Sequence, residues 1–121
     1  MRHAAQAYGK VATQTASPRD LEANLLLKAA AKLQAVRDSW DQGKATLDEA
    51  LLYNRKLWTV FLSSVTEGNN PLPREIRQNV ANLGVFVMSQ TLAVMADPKP
   101  EKLGSLININ RELAAGLLGR G

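Results

Sequence analysis

The 121-residue chain contains no cysteine, which excludes a disulfide, a thiolate metal site and a thiol nucleophile. Its single histidine is His3, placed at a terminus where little holds a side chain still, so a base and nucleophile within mutual reach find no support. There is no Glu-x-x-His pair of the kind that builds a bundle di-iron site, and no glycine-rich phosphate loop. Asp48 and Glu49 are sequence neighbours that point to different sides of a helix, so they make no chelating pair and serve ordinarily to complement a helix dipole. No apolar h-region follows Arg2 and His3, and no unbroken apolar run reaches the roughly 18 residues of a membrane span. Fifteen Lys and Arg against eleven Asp and Glu leave a net charge of +4, but the charges are interspersed. A mildly basic surface of that kind makes direct nucleic-acid binding a minority reading. The expectation is a cytoplasmic non-enzyme without cofactor, metal or membrane segment.

What is present is helix. At this length one domain can bury a modest core, and neither a repeat nor a composition shift marks a second. A single domain over residues 1–121 is expected, with 1–16 a short helix through Ala4, Tyr8 and Val11 or a flexible segment. Ser17-Pro18-Arg19-Asp20 reads as a helix start, followed by Leu21, Leu25, Ala29, Leu33, Val36 and Trp40 on one face, widened by Leu26 and Ala30. The stop is expected near Gly43. Thr46 to Glu49 reads as a capping box opening a second helix. That helix carries two apolar stripes, Leu47, Leu51, Trp58, Phe61 and Val65 with Asn54 in their midst, and Ala50, Tyr53, Leu57, Val60 and Ser64. Two stripes require two packing partners, so this is the central helix of the domain or one that offers a face to another protein.

Gly68 to Pro73 ends it, and Pro73 suits the first turn of a third helix with Ile76, Val80, Leu83, Val87 and Val94 on one face and Val85, Met88, Leu92 and Met95 on another. Gly84 costs that helix roughly 1 kcal/mol of propensity, which close approach of a neighbouring helix would offset. After the stiff Asp97 to Pro100 linker, Leu103, Ile107, Asn110, Leu113 or Ala114, and Leu117 line a last helix. The architecture expected is all-α, a small antiparallel bundle of about four to five helices.

Two Asn-Arg pairs stand out, Asn54-Arg55 and Asn110-Arg111. Each Asn falls on an apolar stripe, where an unpaired amide would cost on the order of 1 to 3 kcal/mol. The ordinary reading is that these amides bond to a helix end, a loop carbonyl or each other and fix the register of the bundle. The sharper reading places them beneath a binding groove. Arg55 and Lys56 are more often a solvated edge than a recognition site, and Trp58 more often core than hot spot.

Taken in order, SPRDLEANLLLKAAAKL, LLYNRKLW, NNPLPREIRQNVANLGVFVM and LININRELAAGLL resemble the FlaF family of flagellar biosynthesis regulators of alphaproteobacteria, from about Tyr8 onward. The most specific parts are Asn54 to Trp58, Asn70 to Pro73 and Ile109 to Arg111. The resemblance implies a small helical cytoplasmic protein required for flagellin production or export, whose partners are flagellin and the companion regulator FlbT, which acts on flagellin messenger RNA. On that footing Tyr53, Asn54, Arg55, Trp58, Leu72, Asn110 and Arg111 are the candidate partner-binding residues. An apolar helical surface could hold the amphipathic terminal segments of unassembled flagellin. The alternatives are an RNA-binding regulator and an adaptor that acts through FlbT without touching flagellin.

Overall fold

The computed structural model describes residues 17–42 and 44–119; the expected N-terminal helix, His3 and the stop at Gly43 lie outside them. Four α-helices follow one another, α1 (Pro18–Asp38), α2 (Lys44–Val65), α3 (Arg74–Ala96) and α4 (Gly104–Leu117), with short 3-10 turns at Trp40–Gln42 and Pro100–Leu103. No strand occurs among the described residues. The all-α antiparallel bundle expected from the stripes is the observed architecture.

The first helix opens with a reciprocal capping box: the Ser17 hydroxyl accepts from the Asp20 N–H at 3.1 Å, and the Asp20 carboxylate accepts from the Ser17 N–H at 3.2 Å. It closes at Asp38, earlier than the Gly43 signal, because Ser39 leaves helical geometry (φ −121°, ψ 43°) and the chain tightens into the 3-10 turn. The second helix begins at Lys44, so Thr46 and Glu49 lie inside its first turns rather than at its cap. Lys44 and Ala45 are both good helix formers and extend the helix backward.

α2 packs between α1 and α3. Its main stripe is buried as expected, from Leu47 through Leu51, Asn54, Trp58 and Phe61 to Val65. One flank meets α1, where Tyr53 lies under Lys28 and Lys32, and the other meets α3, where Leu62 lies against Gly84. The second stripe is only partly used: Ala50 is buried and Leu57 packs against the core, whereas Val60 is exposed. On α1 the buried face is Ala23, Leu26, Ala29, Ala30, Leu33 and Val36. Leu25 stays exposed, because Ala23, Leu26, Ala30 and Leu33 set the helix's rotation toward the core. α1 packs extensively against α4, whose Leu106, Ile107, Asn110 and Ala114 turn inward.

Gly84 explains itself in this packing. A Cβ there would fall on the Leu62 side chain, 2.7 Å from its Cγ, so the glycine admits α2 to the surface of α3. The joint between α2 and α3 is equally specific. Asn70 Nδ2 donates to the Ser64 carbonyl at 3.0 Å and hydroxyl at 3.1 Å, Asn70 Oδ1 accepts from the Leu72 N–H at 2.9 Å, and Arg77 Nε donates to the Leu72 carbonyl at 3.1 Å. That Asx-turn ties the end of α2 to the start of α3, and Pro73 stands just before the first helical residue, as the N-cap.

The inner face of α3 is Val80, Gly84, Val87, Thr91 and Val94. Ile76, Val85, Leu92 and Met95 are exposed, which departs from the expected inner face at Ile76. α3 is also long and apolar enough, by length and composition, to cross a membrane. Counting unbroken apolar runs does not register this, since single polar residues interrupt them. In the bundle the same helix forms one wall of the core.

Candidate functional site

Two places gather the sequence-marked residues. The first is a buried polar network joining α2 to α4. Trp58 Nε1 donates to Asn110 Oδ1 at 2.9 Å, and Asn110 Nδ2 donates to Asn54 Oδ1 at 2.7 Å. All three residues have no exposed surface. The orientation of both amides follows from the indole, which can only donate. Its N–H demands the Asn110 oxygen, which turns the Asn110 nitrogen toward Asn54 and in turn demands the Asn54 oxygen. Asn54 Nδ2 is thereby pointed away and has no partner among the described residues. Leaving a buried amide NH2 unpaired costs about 1 to 3 kcal/mol, and this group is what remains of a chain that begins at a donor-only indole and ends on an amide. The network holds α4 in one register on α2, because sliding α4 by one residue would unpair all three groups.

The second place is an apolar groove of about 330 Å³ between the first half of α2 and the end of α3. Its floor is built by Leu47, Leu51 and Leu52 of α2 with Thr91 and Met95 of α3 and Pro98, and Lys44, Asp48 and Arg55 stand at its rim. The α2 residues recur three and four apart, so they form one strip on one face of the helix. A neighbouring hollow lined by Val36, Trp40 and Asp41 shares Lys44, Leu47 and Pro98 with it, extending the depression around the start of α2.

The seven candidate partner-binding residues thus divide. Asn54, Trp58 and Asn110 come together in the interior, and a partner would reach them only by parting the helices. Arg55 is exposed at the groove's rim. Tyr53 is half-buried on the other flank of α2, its ring centroid 5.8 Å from Lys28 Nζ and 5.1 Å from Lys32 Nζ. Leu72 is half-buried at the far end of α2, in a narrow crevice with Phe61, Asn70 and Val80. Arg111 is exposed, with Nη2 3.4 Å from Gln34 Oε1. The groove residues Leu52 and Met95 are not sequence candidates. The sequence signal for Leu52 is the spacing of Lys44, Asp48, Leu52 and Arg55, a strip flanking the core stripe that contains Leu51; nothing in the spacing of α2 marks Met95, which belongs to α3.

Two carboxyls among the described residues depart from their ordinary ionisation. Partial burial against Phe61, Val65, Leu113 and Leu117 raises the Glu22 carboxyl, opposed by Arg19. At the α3 terminus Lys102 donates to the Asp97 carboxylate at 3.2 Å and lowers that carboxyl, with Lys99 assisting. Among the described residues no group of three or more His, Cys, Asp or Glu could hold a metal ion.

Among the described residues, four helices pinned by a Trp-Asn-Asn network, with an apolar groove open between α2 and α3, define a small helical-bundle protein. The chain belongs to the FlaF family: the family model described as flagellar protein FlaF matches residues 4–117. It is a flagellar protein. No curated protein and no solved structure matches it.

Proposed function

We propose that this flagellar protein is a non-enzymatic cytoplasmic biogenesis factor that binds unassembled flagellin, keeps it soluble and, together with FlbT, couples flagellin synthesis to export. The observation that carries this reading is the apolar groove along α2 with Lys44, Asp48 and Arg55 at its rim. An amphipathic helix laid in such a groove buries its apolar face on Leu51, Leu52 and Met95 while its polar edges meet the rim charges. Such binding needs neither ATP nor an active site. The test is direct titration of purified protein with intact flagellin and with flagellin lacking its terminal helical segments. Intact flagellin is expected to bind with modest salt sensitivity, and the truncated form far less well.

A second reading has its own observation. Lys28 and Lys32 over the half-buried Tyr53 ring bring basic groups and an aromatic face together, as in surfaces that hold single-stranded RNA. Under that reading the chain acts post-transcriptionally, through FlbT or flagellin messenger RNA, without binding flagellin. A flagellin transcript that binds, and is released at about 0.5 M salt as counterions return, favours it. Binding to FlbT with none to flagellin favours a pure adaptor.

A further inference from the structure

The outer face of α3 carries a feature the groove does not use. From Gln78 to Ala96 the chain runs nineteen residues without a charge, its longest such stretch. Within it Asn82, Val85, Ser89, Leu92 and Ala96 recur at alternating spacings of three and four, and every one is exposed. Val85 is 67% and Leu92 63% exposed. The inner face, Val80, Gly84, Val87, Thr91 and Val94, shows the same alternation and is buried against the bundle. α3 therefore has two seams of the coiled-coil type back to back, one occupied and one open. Phe86 and Met95, 43% and 51% exposed, stand on either flank of the open one.

We propose that the open seam is filled by a second copy of this chain, with α3 packed antiparallel on α3 of the partner. Two properties select a second copy. A chain of net charge +4 repels itself, and an isologous contact sets like residues near like; this strip has no charge to oppose it. The sizes are also self-complementary in one register. When Val85 faces Ala96 of the other copy, Ser89 faces Leu92, Leu92 faces Ser89 and Ala96 faces Val85. Each large residue then meets a small one in four successive layers, which keeps the helix separation even. A parallel pairing would set Leu92 on Leu92 and Ser89 on Ser89, alternately crowding and gapping the seam. The antiparallel pairing places the two-fold axis between Gln90 and Thr91. This proposal stands apart from the flagellin reading and uses different residues for its contact layers.

The absence of cysteine makes the register directly readable. Sedimentation equilibrium of the full chain is expected to give a dimer, and Leu92→Glu a monomer of unchanged helical circular dichroism, since Leu92 holds no place in the monomer's core. Under mild oxidation the double variant Val85→Cys/Ala96→Cys is expected to cross-link between copies. Val85→Cys alone is not, because two copies of residue 85 would lie about 16 Å apart along the antiparallel pair. Three outcomes overturn the proposal: a wild-type monomer at all accessible concentrations, whatever covers the seam instead, be it the N-terminal segment, a bilayer or another protein; a Leu92→Glu variant that remains dimeric; or Val85→Cys alone cross-linking as well as the double variant, which would mean a parallel or unspecific contact.

Discussion

Asn110 is the joint of the buried network, since it both accepts from Trp58 and donates to Asn54. Its replacement and that of Asn54 should therefore differ in effect although the residues are alike in type and burial. Asn110→Leu leaves the Trp58 N–H and the Asn54 oxygen without partners, whereas Asn54→Leu removes the one amide hydrogen-bonding group already unpaired and strands only Asn110 Nδ2. The two variants thus differ by two stranded groups, and at about 1 to 3 kcal/mol for each, Asn110→Leu should be the more destabilising by about 2 to 6 kcal/mol in urea unfolding. Equal losses, or the reverse order, would mean that the amides are oriented differently. Trp58→Ala should cost about 3 to 5 kcal/mol, as expected for a large core residue that also loses a buried hydrogen bond. A loss below about 1 kcal/mol would contradict its place in the interior, where its ring also meets Phe61 edge-on at a centroid distance of 5.8 Å.

The helices themselves were legible from spacing, because burial on one side imposes a 3.6-residue period on any amphipathic helix. The α2 stripe from Leu47 to Val65 and the helix start at Ser17 could be read off residue by residue, whereas the capping box expected at Thr46 to Glu49 falls inside α2 and the one formed is at Ser17 and Asp20. Rotation of α1 could not be read this way, since Leu21 to Leu27 contains enough leucine to support two faces, and only its packing against α4 and α2 selects one. The groove was illegible for a related reason: it lies between elements, and its strip on α2 acquires meaning only beside the end of α3. Gly84 is where a local penalty in the sequence pointed correctly to a close contact. Gly84→Ala is expected to destabilise by about 1 to 3 kcal/mol through overpacking on Leu62. In a Leu62→Ala background the same change should become neutral or stabilising by up to about 1 kcal/mol, as helix propensity alone acts. Additivity of the two substitutions in thermal or urea unfolding would contradict the contact.

For the molecule as a whole, pH stability and partner binding test different parts of the account. Burial raises Glu22 above its ordinary 4.5, so the folded chain holds that proton more tightly than the unfolded one. Its contribution is fully present below about 4.5, is lost as the pH rises through the raised value, and is constant above it. Glu22→Gln should therefore be more stable than wild type at neutral pH and lack this step; an unchanged difference between the two proteins across the acid range would contradict it. The proposed escort role requires an open apolar surface, and the groove between α2 and α3 is the surface on which that proposal rests. Leu52 lies on the groove and is 42% exposed, so Leu52→Glu should fold normally yet place a charge where the partner's apolar face must sit. The most direct measurement is calorimetric titration of intact flagellin into wild type and into Leu52→Glu at matched helicity. Saturable binding by wild type and its loss, tenfold or more, in the variant is the predicted result; no binding by wild type, or equal binding by both, would contradict it.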